Sequence, residues 1–182
     1  MREQEATQHK TGFPPSNLPR DPETGYFLDI PARIREIYKH NCFMSDFFHI
    51  SIDEIYCGGA QVSLHIEHDK HANHRNVTHG GVLTALADSV LGVTGASVGE
   101  AVVTASFAMD FISNVSMDGT VRMISNIKHH GRSTMVIVGE MYDDRNRLLA
   151  TMMCICFQSI VVVEFEIFIT RWVVDSNWNL VD

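Results

Sequence analysis

Residues 78–98 read THGGVLTALADSVLGVTGASV, and this stretch decides the fold. Between positions 82 and 91 the polar residues are Thr84, Asp88 and Ser89. The other seven are apolar: Val82, Leu83, Ala85, Leu86, Ala87, Val90 and Leu91. A helix that is apolar nearly all round lies in a protein core. Thr78 stands where an N-cap residue is expected. The stretch therefore predicts one long buried helix that begins just after Thr78.

The segments on both sides of this helix have the two-residue period of β-strands. From Phe47 onward β-branched and aromatic residues recur, residues 57–60 form a turn, and residues 61–67 alternate apolar with polar side chains. Residues 68–77 are polar and predict a loop. After the helix come four strand-like segments separated by turn signals: Ala101–Asn114, Thr120–His129, Ser133–Tyr142 and Arg147–Gln158. Those turns are too short for parallel crossovers. We therefore expect an α+β fold in which an antiparallel sheet wraps around one long buried helix.

The two ends of the chain differ in composition from its centre. All five prolines lie at positions 14, 15, 19, 22 and 31, so residues 1–30 are predicted to be an N-terminal arm. A short helix is expected from Pro31, which suits a first helical turn. Residues 31–158 are predicted to form one domain. Residues 159–182 are predicted to form a C-terminal extension, in which apolar and acidic residues alternate as in a strand.

Composition and charge exclude several classes of protein. The chain has 182 residues and is 45% hydrophobic, as expected for one globular domain. Its 14 basic and 22 acidic residues give a net charge of −8, the wrong sign for a surface that follows nucleic-acid phosphates. No apolar run reaches the roughly 18 residues of a membrane span, and the N-terminus lacks the apolar core of a secretory signal. We expect a cytoplasmic protein with no nucleic-acid or membrane partner, and four free cysteine thiols.

Gly80 and Gly81 lie in the first turn of the predicted helix, where backbone N–H groups have no helical partner. Glycine inside a helix costs about 1 kcal/mol relative to alanine, so a pair of glycines requires a reason. One reason is that these N–H groups can approach a ligand carbonyl and stabilise an oxyanion. The alternative is that the two glycines only allow a strand to pack closely against the helix.

Asp88 lies in the middle of the apolar helix, where an unpaired carboxylate would cost several kcal/mol to desolvate. It therefore needs either a function or a partner such as Thr84, one turn earlier. Gly80 and Asp88 are eight residues apart, or about 12 Å along a helix axis. One small carbonyl cannot contact both within one chain. If both act on the same bond, Asp88 must come from a second subunit, so the function would require a homodimer at least.

These residues form a pattern with fixed spacing: Asn73, then His79-Gly80-Gly81 six residues later, then Asp88 nine residues after His79. The pattern resembles that of the hot-dog fold acyl-CoA thioesterases of the phenylacetic-acid-degradation type. The resemblance covers roughly residues 47–158 and implies the hot-dog fold. One departure is Asn76, where relatives commonly have glycine.

The resemblance also implies roles for the site residues. The Gly80 N–H would polarise the thioester carbonyl, with Asn73 and His79 close to the same group. Asp88 of the second subunit would attack the carbonyl or activate water, and the sequence does not distinguish these two roles. Thr104 resembles the hydroxyl residue that positions the water in such enzymes, and Ser106 is expected on the same strand face. Thioester hydrolysis of this kind requires neither a metal nor another cofactor, because coenzyme A is part of the substrate.

Two basic residues and the histidines complete the candidate set. Lys128 and Arg132, at a predicted turn, would bind the phosphates of coenzyme A, while Gly81 would contact the substrate. The alternative for the two cations is an ordinary solvated turn. Five histidines lie within fifteen positions: His65, His68, His71, His74 and His79. We interpret them as a polar strand end and loop rather than a metal site, and Cys154 and Cys156 as packing residues.

The sequence thus predicts an acyl-CoA thioesterase, with aryl and medium-length acyl groups as the candidate substrates, assembled as a dimer or a dimer of dimers. Two alternatives stay open. A hot-dog dehydratase or hydratase would need a different pairing of histidine and acid, and its proline-rich signature is absent because no proline follows Pro31. A non-catalytic acyl-CoA sensor would use the same fold to bind the ligand without turnover.

Overall fold

The structure is a computed structural model, and it describes residues 16–23, 27–115 and 118–158. The predicted N-terminal arm lies partly outside these residues. The predicted C-terminal extension, residues 159–182, lies wholly outside them. The division of the chain into arm, domain and extension therefore stays a prediction.

A short helix, α1, spans Ile30–Tyr38 and precedes the sheet. It begins where the sequence predicts, because Pro31 lies in its first turn and the Asp29 carboxylate accepts a hydrogen bond from the Ala32 N–H at 2.8 Å. One π-helical turn, Phe43–Phe47, follows it. Strand pattern was expected from Phe47, but the first strand begins only at Ser51.

The sheet has six strands, all paired antiparallel, in the order β1-β2-β4-β5-β6-β3. Their bounds are β1 Ser51–Tyr56, β2 Gly59–His65, β3 Val102–Phe111, β4 Thr120–His130, β5 Thr134–Tyr142 and β6 Leu148–Gln158. Each strand predicted after the long helix is present within three residues of its expected bounds. The turn of the first hairpin is shorter than predicted, because Gly59 and Ala60 already pair with Tyr56 and Ile55.

Between β2 and β3 the chain forms a four-residue helix, α2 (His68–His71), and the long helix α3 (Gly80–Ala96). Helix α3 packs on the inner face of the sheet. Its side of the core comprises Leu83, Leu86, Ala87, Val90, Leu91 and Val93. The strands contribute residues such as Met123, Ile137 and Cys154. The predicted α+β class, with an antiparallel sheet around one long helix, is confirmed.

Three local expectations are wrong. Helix α3 is not buried all round, because Gly81 and Asp88 are exposed in the protomer. Its N-cap residue is His79 rather than Thr78, and the His79 ring accepts a hydrogen bond from a first-turn N–H. The predicted loop 68–77 contains the helical turn α2, which is too short to produce a helical period in the sequence.

Strand β3 forms one edge of the sheet and pairs only with β6 among the described strands. Most of its side chains are exposed. A β-bulge shifts its register, so that Thr104 lies opposite Cys156 whereas Ser106 lies opposite Ile155. Because adjacent residues of β6 point to opposite faces, Thr104 points inward and Ser106 outward. The expectation that they share a face is therefore wrong.

Within the described part of the chain, no helix has the length and apolar character that crossing a membrane requires.

Candidate active site

The N-terminus of α3 presents a free backbone donor. The Nδ1 atom of His79 accepts a hydrogen bond from the Gly81 N–H at 2.9 Å. No described residue accepts a hydrogen bond from the Gly80 N–H. A neutral His79 ring that accepts at Nδ1 carries its proton on Nε2, where it can donate to a ligand. The Gly80 N–H and the His79 ring are therefore available to an oxygen atom at this helix end.

The loop before α3 is held by its own hydrogen bonds. Ala72 and Thr78 form an antiparallel bridge. The Asn73 side-chain oxygen accepts from the backbone N–H groups of Arg75 at 2.8 Å and Val77 at 3.4 Å. This leaves the Asn73 amide NH₂ group as a donor for a ligand.

The departure at Asn76 is compatible with this loop. Asn76 has a φ of 56°, in the left-handed region that glycine and asparagine adopt more easily than other residues. Asparagine therefore serves where the relatives commonly have glycine.

A cavity of about 370 Å³ opens beside the N-terminus of α3. It is lined by Asn73, Thr78, Gly80, Leu83, Phe111, Ile112, Ser113 and Asn114. The Phe111 ring lies close to Gly80, because a Cβ atom on Gly80 would be 3.5 Å from the ring. The structure thus brings together Asn73 and Gly80, as predicted, and adds the C-terminal end of β3, which the sequence analysis missed. The only feature of the sequence that could have indicated Phe111 is the alternation of side chains along β3, which places Phe111 on the inner face.

Asp88 pairs with Thr104. The Thr104 hydroxyl donates a hydrogen bond of 2.7 Å to Oδ1 of Asp88, and both side chains are exposed in the protomer. The alternative partner, Thr84, instead donates to the Gly80 carbonyl at 3.0 Å. The desolvation cost that we inferred for the Asp88 carboxylate is therefore absent in one protomer, because this face of α3 is exposed to solvent.

One protomer keeps the two groups of residues apart. Gly80 begins α3 and lies beside Phe111, at the end of β3, whereas Asp88 lies two turns along α3 and contacts Thr104, near the start of β3. Eight residues of helix correspond to about 12 Å. A ligand carbonyl at the Gly80 N–H is therefore out of reach of Asp88 in the same chain.

The basic turn lies toward the Thr104 end of the sheet. Lys128 and Arg132 are exposed on either side of the end of β4. His130, between them, contacts Glu100 with Nε2···Oε1 at 3.2 Å. By register, His130 is three strands from Thr104, or about 14 Å at the usual strand spacing. The two cations are thus nearer to the Asp88 pair than to Gly80 of the same protomer.

The histidines and the cysteine pair occupy different surroundings. His65, His68 and His74 are exposed, whereas His71 is buried. Among residues 16–23, 27–115 and 118–158, no three His, Cys, Asp or Glu side chains gather as metal ligands. Cys154 and Cys156 are buried with their sulfur atoms 3.4 Å apart, and the contact between the thiols together with burial raises the pKa of Cys154.

One segment of the chain matches a known family of proteins. Residues 75–150 match the model of the thioesterase superfamily. The resemblance inferred from Asn73, His79-Gly80-Gly81 and Asp88 is therefore confirmed. No curated protein sequence matches the chain.

Solved structures share the fold of this chain. The PaaI protein from the phenylacetic acid degradation operon of Escherichia coli is 21% identical with a TM-score of 0.67, over 71% of this chain and 93% of its own. The TT0310 protein of Thermus thermophilus is 25% identical with a TM-score of 0.60, over 64% and 97%.

A hypothetical thioesterase protein of Streptococcus pneumoniae, solved with coenzyme A, is 22% identical with a TM-score of 0.59, over 64% and 96%. It has also been solved with a threonine or an aspartate replaced by alanine. These similarities confirm the predicted hot-dog fold.

Proposed function

We propose that this protein hydrolyses acyl-CoA thioesters to a free acid and coenzyme A. The observation that carries the proposal is the pairing of two complementary half-sites on one long helix. One half is the Gly80 N–H, which has no acceptor among the described residues and lies beside a cavity, and the other is the carboxylate of Asp88 hydrogen-bonded to Thr104. Carbonyl polarisation and a positioned base or nucleophile are what thioester hydrolysis needs.

In the first half-site, the thioester carbonyl oxygen accepts hydrogen bonds from the Gly80 N–H and from the Asn73 amide or the His79 Nε2–H. The positive end of the α3 dipole adds to this stabilisation as negative charge develops on the oxygen. The acyl group extends into the cavity against Leu83, Phe111 and their neighbours. The apolar part of the lining, Leu83, Phe111 and Ile112, supports an aryl or medium-length acyl chain as the substrate.

In the second half-site, the Asp88 carboxylate acts either as a base or as a nucleophile. As a base it takes a proton from water while the water oxygen bonds to the carbonyl carbon, and the C–S bond then breaks to release coenzyme A. As a nucleophile its own oxygen bonds to the carbonyl carbon, and the C–S bond breaks to give an anhydride and the coenzyme A thiolate, which takes up a proton from water. A water molecule then hydrolyses the anhydride to the free acid and the Asp88 carboxylate. Both routes need the same carboxylate position, which the Thr104 hydroxyl fixes through Oδ1.

Two chains complete the site if their β3 strands pair antiparallel. The outer edge of β3, which no described strand covers, supports this arrangement, because a long unpaired edge is a template for another strand. A two-fold axis near Phe107 and Ala108 would set Thr104 of one chain opposite Phe111 of the other. Since Thr104 contacts Asp88 and Phe111 lies beside Gly80, each site would combine Asp88 of one chain with Gly80 of the other.

The solved structures add support for this ligand and these residues. The pneumococcal protein was solved with coenzyme A, and a protein of Streptococcus mutans was solved with acetyl-CoA. The threonine and aspartate replaced in the pneumococcal protein are sixteen positions apart, which is also the separation of Asp88 and Thr104. We propose Lys128 and Arg132 as contacts for the coenzyme A phosphates, and a cytoplasmic location for the reaction.

The test is release of free thiol from short, long and aromatic acyl-CoA esters. Asp88→Asn should abolish turnover and retain acyl-CoA binding, whereas Asp69→Asn, a control on an exposed side chain, should be unchanged. Mixing inactive Asp88→Asn and Asn73→Ala proteins should restore partial activity through mixed dimers. Unchanged turnover of Asp88→Asn contradicts its assignment, and no recovery after proven subunit exchange contradicts the shared site. Binding without turnover by the unsubstituted protein would instead support the sensor.

A further inference from the structure

A buried histidine lies where the candidate loop begins. His71 ends helix α2 and is 3% exposed. The ring of Phe48, just after the π-helical turn, stacks on its imidazole with ring centres 6.0 Å apart and an interplanar angle of 18°. His71 belongs to none of the proposed chemical steps. A polar ring in such a position needs a structural or functional reason.

Three contacts with the backbone hold His71 and its neighbour Ala72, and two of them reach the end of α3 that carries Gly80. Its Nδ1 accepts a hydrogen bond from the Glu67 N–H at 2.9 Å. Its carbonyl accepts from the N–H of His79, the N-cap residue of α3, at 2.8 Å. The next residue, Ala72, bridges to Thr78. The ring thus fixes the start of α2, and the main chain of the same residue fixes the cap of α3.

This arrangement requires a neutral ring. An imidazole that accepts at Nδ1 carries its single proton on Nε2. A second proton would be added at Nδ1, directly facing the Glu67 N–H, and would replace the hydrogen bond with repulsion. Protonation would therefore release the ring from the backbone of Glu67.

The groups around His71 differ in their effect on its proton. Burial lowers the pKa of His71 from 6.5, the Glu67 carboxylate opposes that effect, and the charges of Lys70 and His65 add to it. His49 interacts with Glu67 and belongs to the same cluster, whereas Phe48 brings no charge. Because the folded-state pKa lies below the unfolded value, the neutral ring stabilises the fold fully above pH 6.5. That stabilisation is lost as the pH falls through the folded-state value.

We propose that His71 is a positioning residue, whose neutral imidazole holds the loop that sets His79 and the Gly80 N–H, and whose protonation loosens that half of the site. The effect on turnover rests on the proposed function. The effect on the loop does not, because it follows from contacts within the described chain.

The first test is nitrogen NMR of the histidine rings of the full chain, with the His71 signals assigned by their loss in His71→Asn. The expected result is a neutral ring with its proton on Nε2 and a titration midpoint below 6.5. A proton on Nδ1, or a midpoint at or above 6.5, would overturn the proposal. This result is independent of whether the protein hydrolyses any ester.

The second test compares two substitutions at His71. Asn places an amide oxygen close to the position of Nδ1 and does not titrate, whereas Leu removes the acceptor and leaves the Glu67 N–H unpaired. His74→Asn, on an exposed histidine of the same loop, is the control. At pH 8 we expect kcat/KM within about threefold of the original protein for Asn and a drop of about tenfold for Leu. As the pH is lowered, kcat/KM of the original protein should fall around the NMR midpoint of His71. His71→Asn should lack this fall.

Amide hydrogen exchange at His79 and Gly81, whose N–H groups are hydrogen-bonded at the start of α3, supplies a readout that needs no turnover. At one pH below the NMR midpoint, exchange should be at least several-fold faster in the original protein than in His71→Asn. Equal amide exchange in the two proteins would overturn the proposal. So would a fall of kcat/KM at low pH in His71→Asn that matches that of the original protein. If His71→Leu does not fold, the Asn variant alone carries the test. Absence of hydrolysis with the expected exchange would contradict the proposed function and leave the role of His71 intact.

Discussion

Replacing Thr104 with valine tests the half-site of Asp88 most directly. Valine keeps the β-branched shape that suits a strand and removes only the hydroxyl. The hydrogen bond lost is the 2.7 Å contact from Thr104 Oγ1 to Oδ1 of Asp88. Thr104 points inward because of the β-bulge, so no other described side chain of β3 takes its place.

The magnitude follows from this geometry. A hydrogen bond to a charged group contributes roughly 1.5–3 kcal/mol. Both side chains are exposed in the protomer, so water can replace part of the lost bond, and the lower end of that range applies. About 1.5 kcal/mol of lost transition-state stabilisation lowers the rate about tenfold. Since Thr104 contacts the carboxylate and not the cavity, we expect the loss in kcat, with little change in KM.

The assay is steady-state thiol release with the best ester of the panel. Thr104→Ser keeps a hydroxyl and should stay within about threefold of the original kcat. Ser106→Ala, two residues along but on the outer face, controls for disturbance of β3 and should leave kcat unchanged. Full activity of Thr104→Val would refute the positioning argument. Equal losses for valine and serine would also refute it, because the hydroxyl would then not be the group that matters.

Two glycine substitutions separate stability from activity. Gly139→Ala should destabilise the fold by about 1–3 kcal/mol in urea unfolding. A new Cβ would lie 2.8 Å from the Met152 methyl and 2.9 Å from the Ile124 carbonyl oxygen, and this backbone oxygen cannot move away. An unchanged unfolding midpoint would contradict this packing. Gly80→Ala should leave the stability of the fold equal or slightly higher, because the new Cβ would make only an ordinary contact with Phe111. It should nevertheless lower thiol release, because the methyl group reduces the space at the carbonyl site. Full turnover would show that the cavity beside Gly80 is not the acyl site.

The arrangement of helices and strands could be predicted from residue periods. The stretch around Leu86 is apolar over more than two turns, and the strands after it are separated by clear turn residues, so burial and antiparallel order both follow. The spacing of Asn73, Gly80 and Asp88 was also sufficient to show the resemblance to the thioesterase superfamily, whose model matches residues 75–150. These features depend on local pattern, which a single chain carries in full.

The errors lie where partners outside the local pattern decide the outcome. The exposure of Asp88 depends on which face of α3 the sheet leaves open, and apolar composition does not encode that choice. The bulge beside Thr104 depends on pairing with β6. His79 caps α3 instead of Thr78 because the bridge between Ala72 and Thr78 uses Thr78 in the loop, and this bridge is a tertiary feature. The role of Phe111 at the cavity likewise follows from packing against Gly80.

The edge of β3 that no described strand covers has a consequence for how the activity of this protein would depend on its concentration. Under the proposed pairing, neither chain holds a complete site, so the active species forms by a bimolecular step. Specific activity would then rise with protein concentration and fall on dilution, although each folded chain would stay intact. If an inactive Asp88 variant were produced beside the normal protein, each mixed dimer would contain one inactive site. The loss of activity would then follow the proportion of variant chains, and the normal chains would not compensate for it.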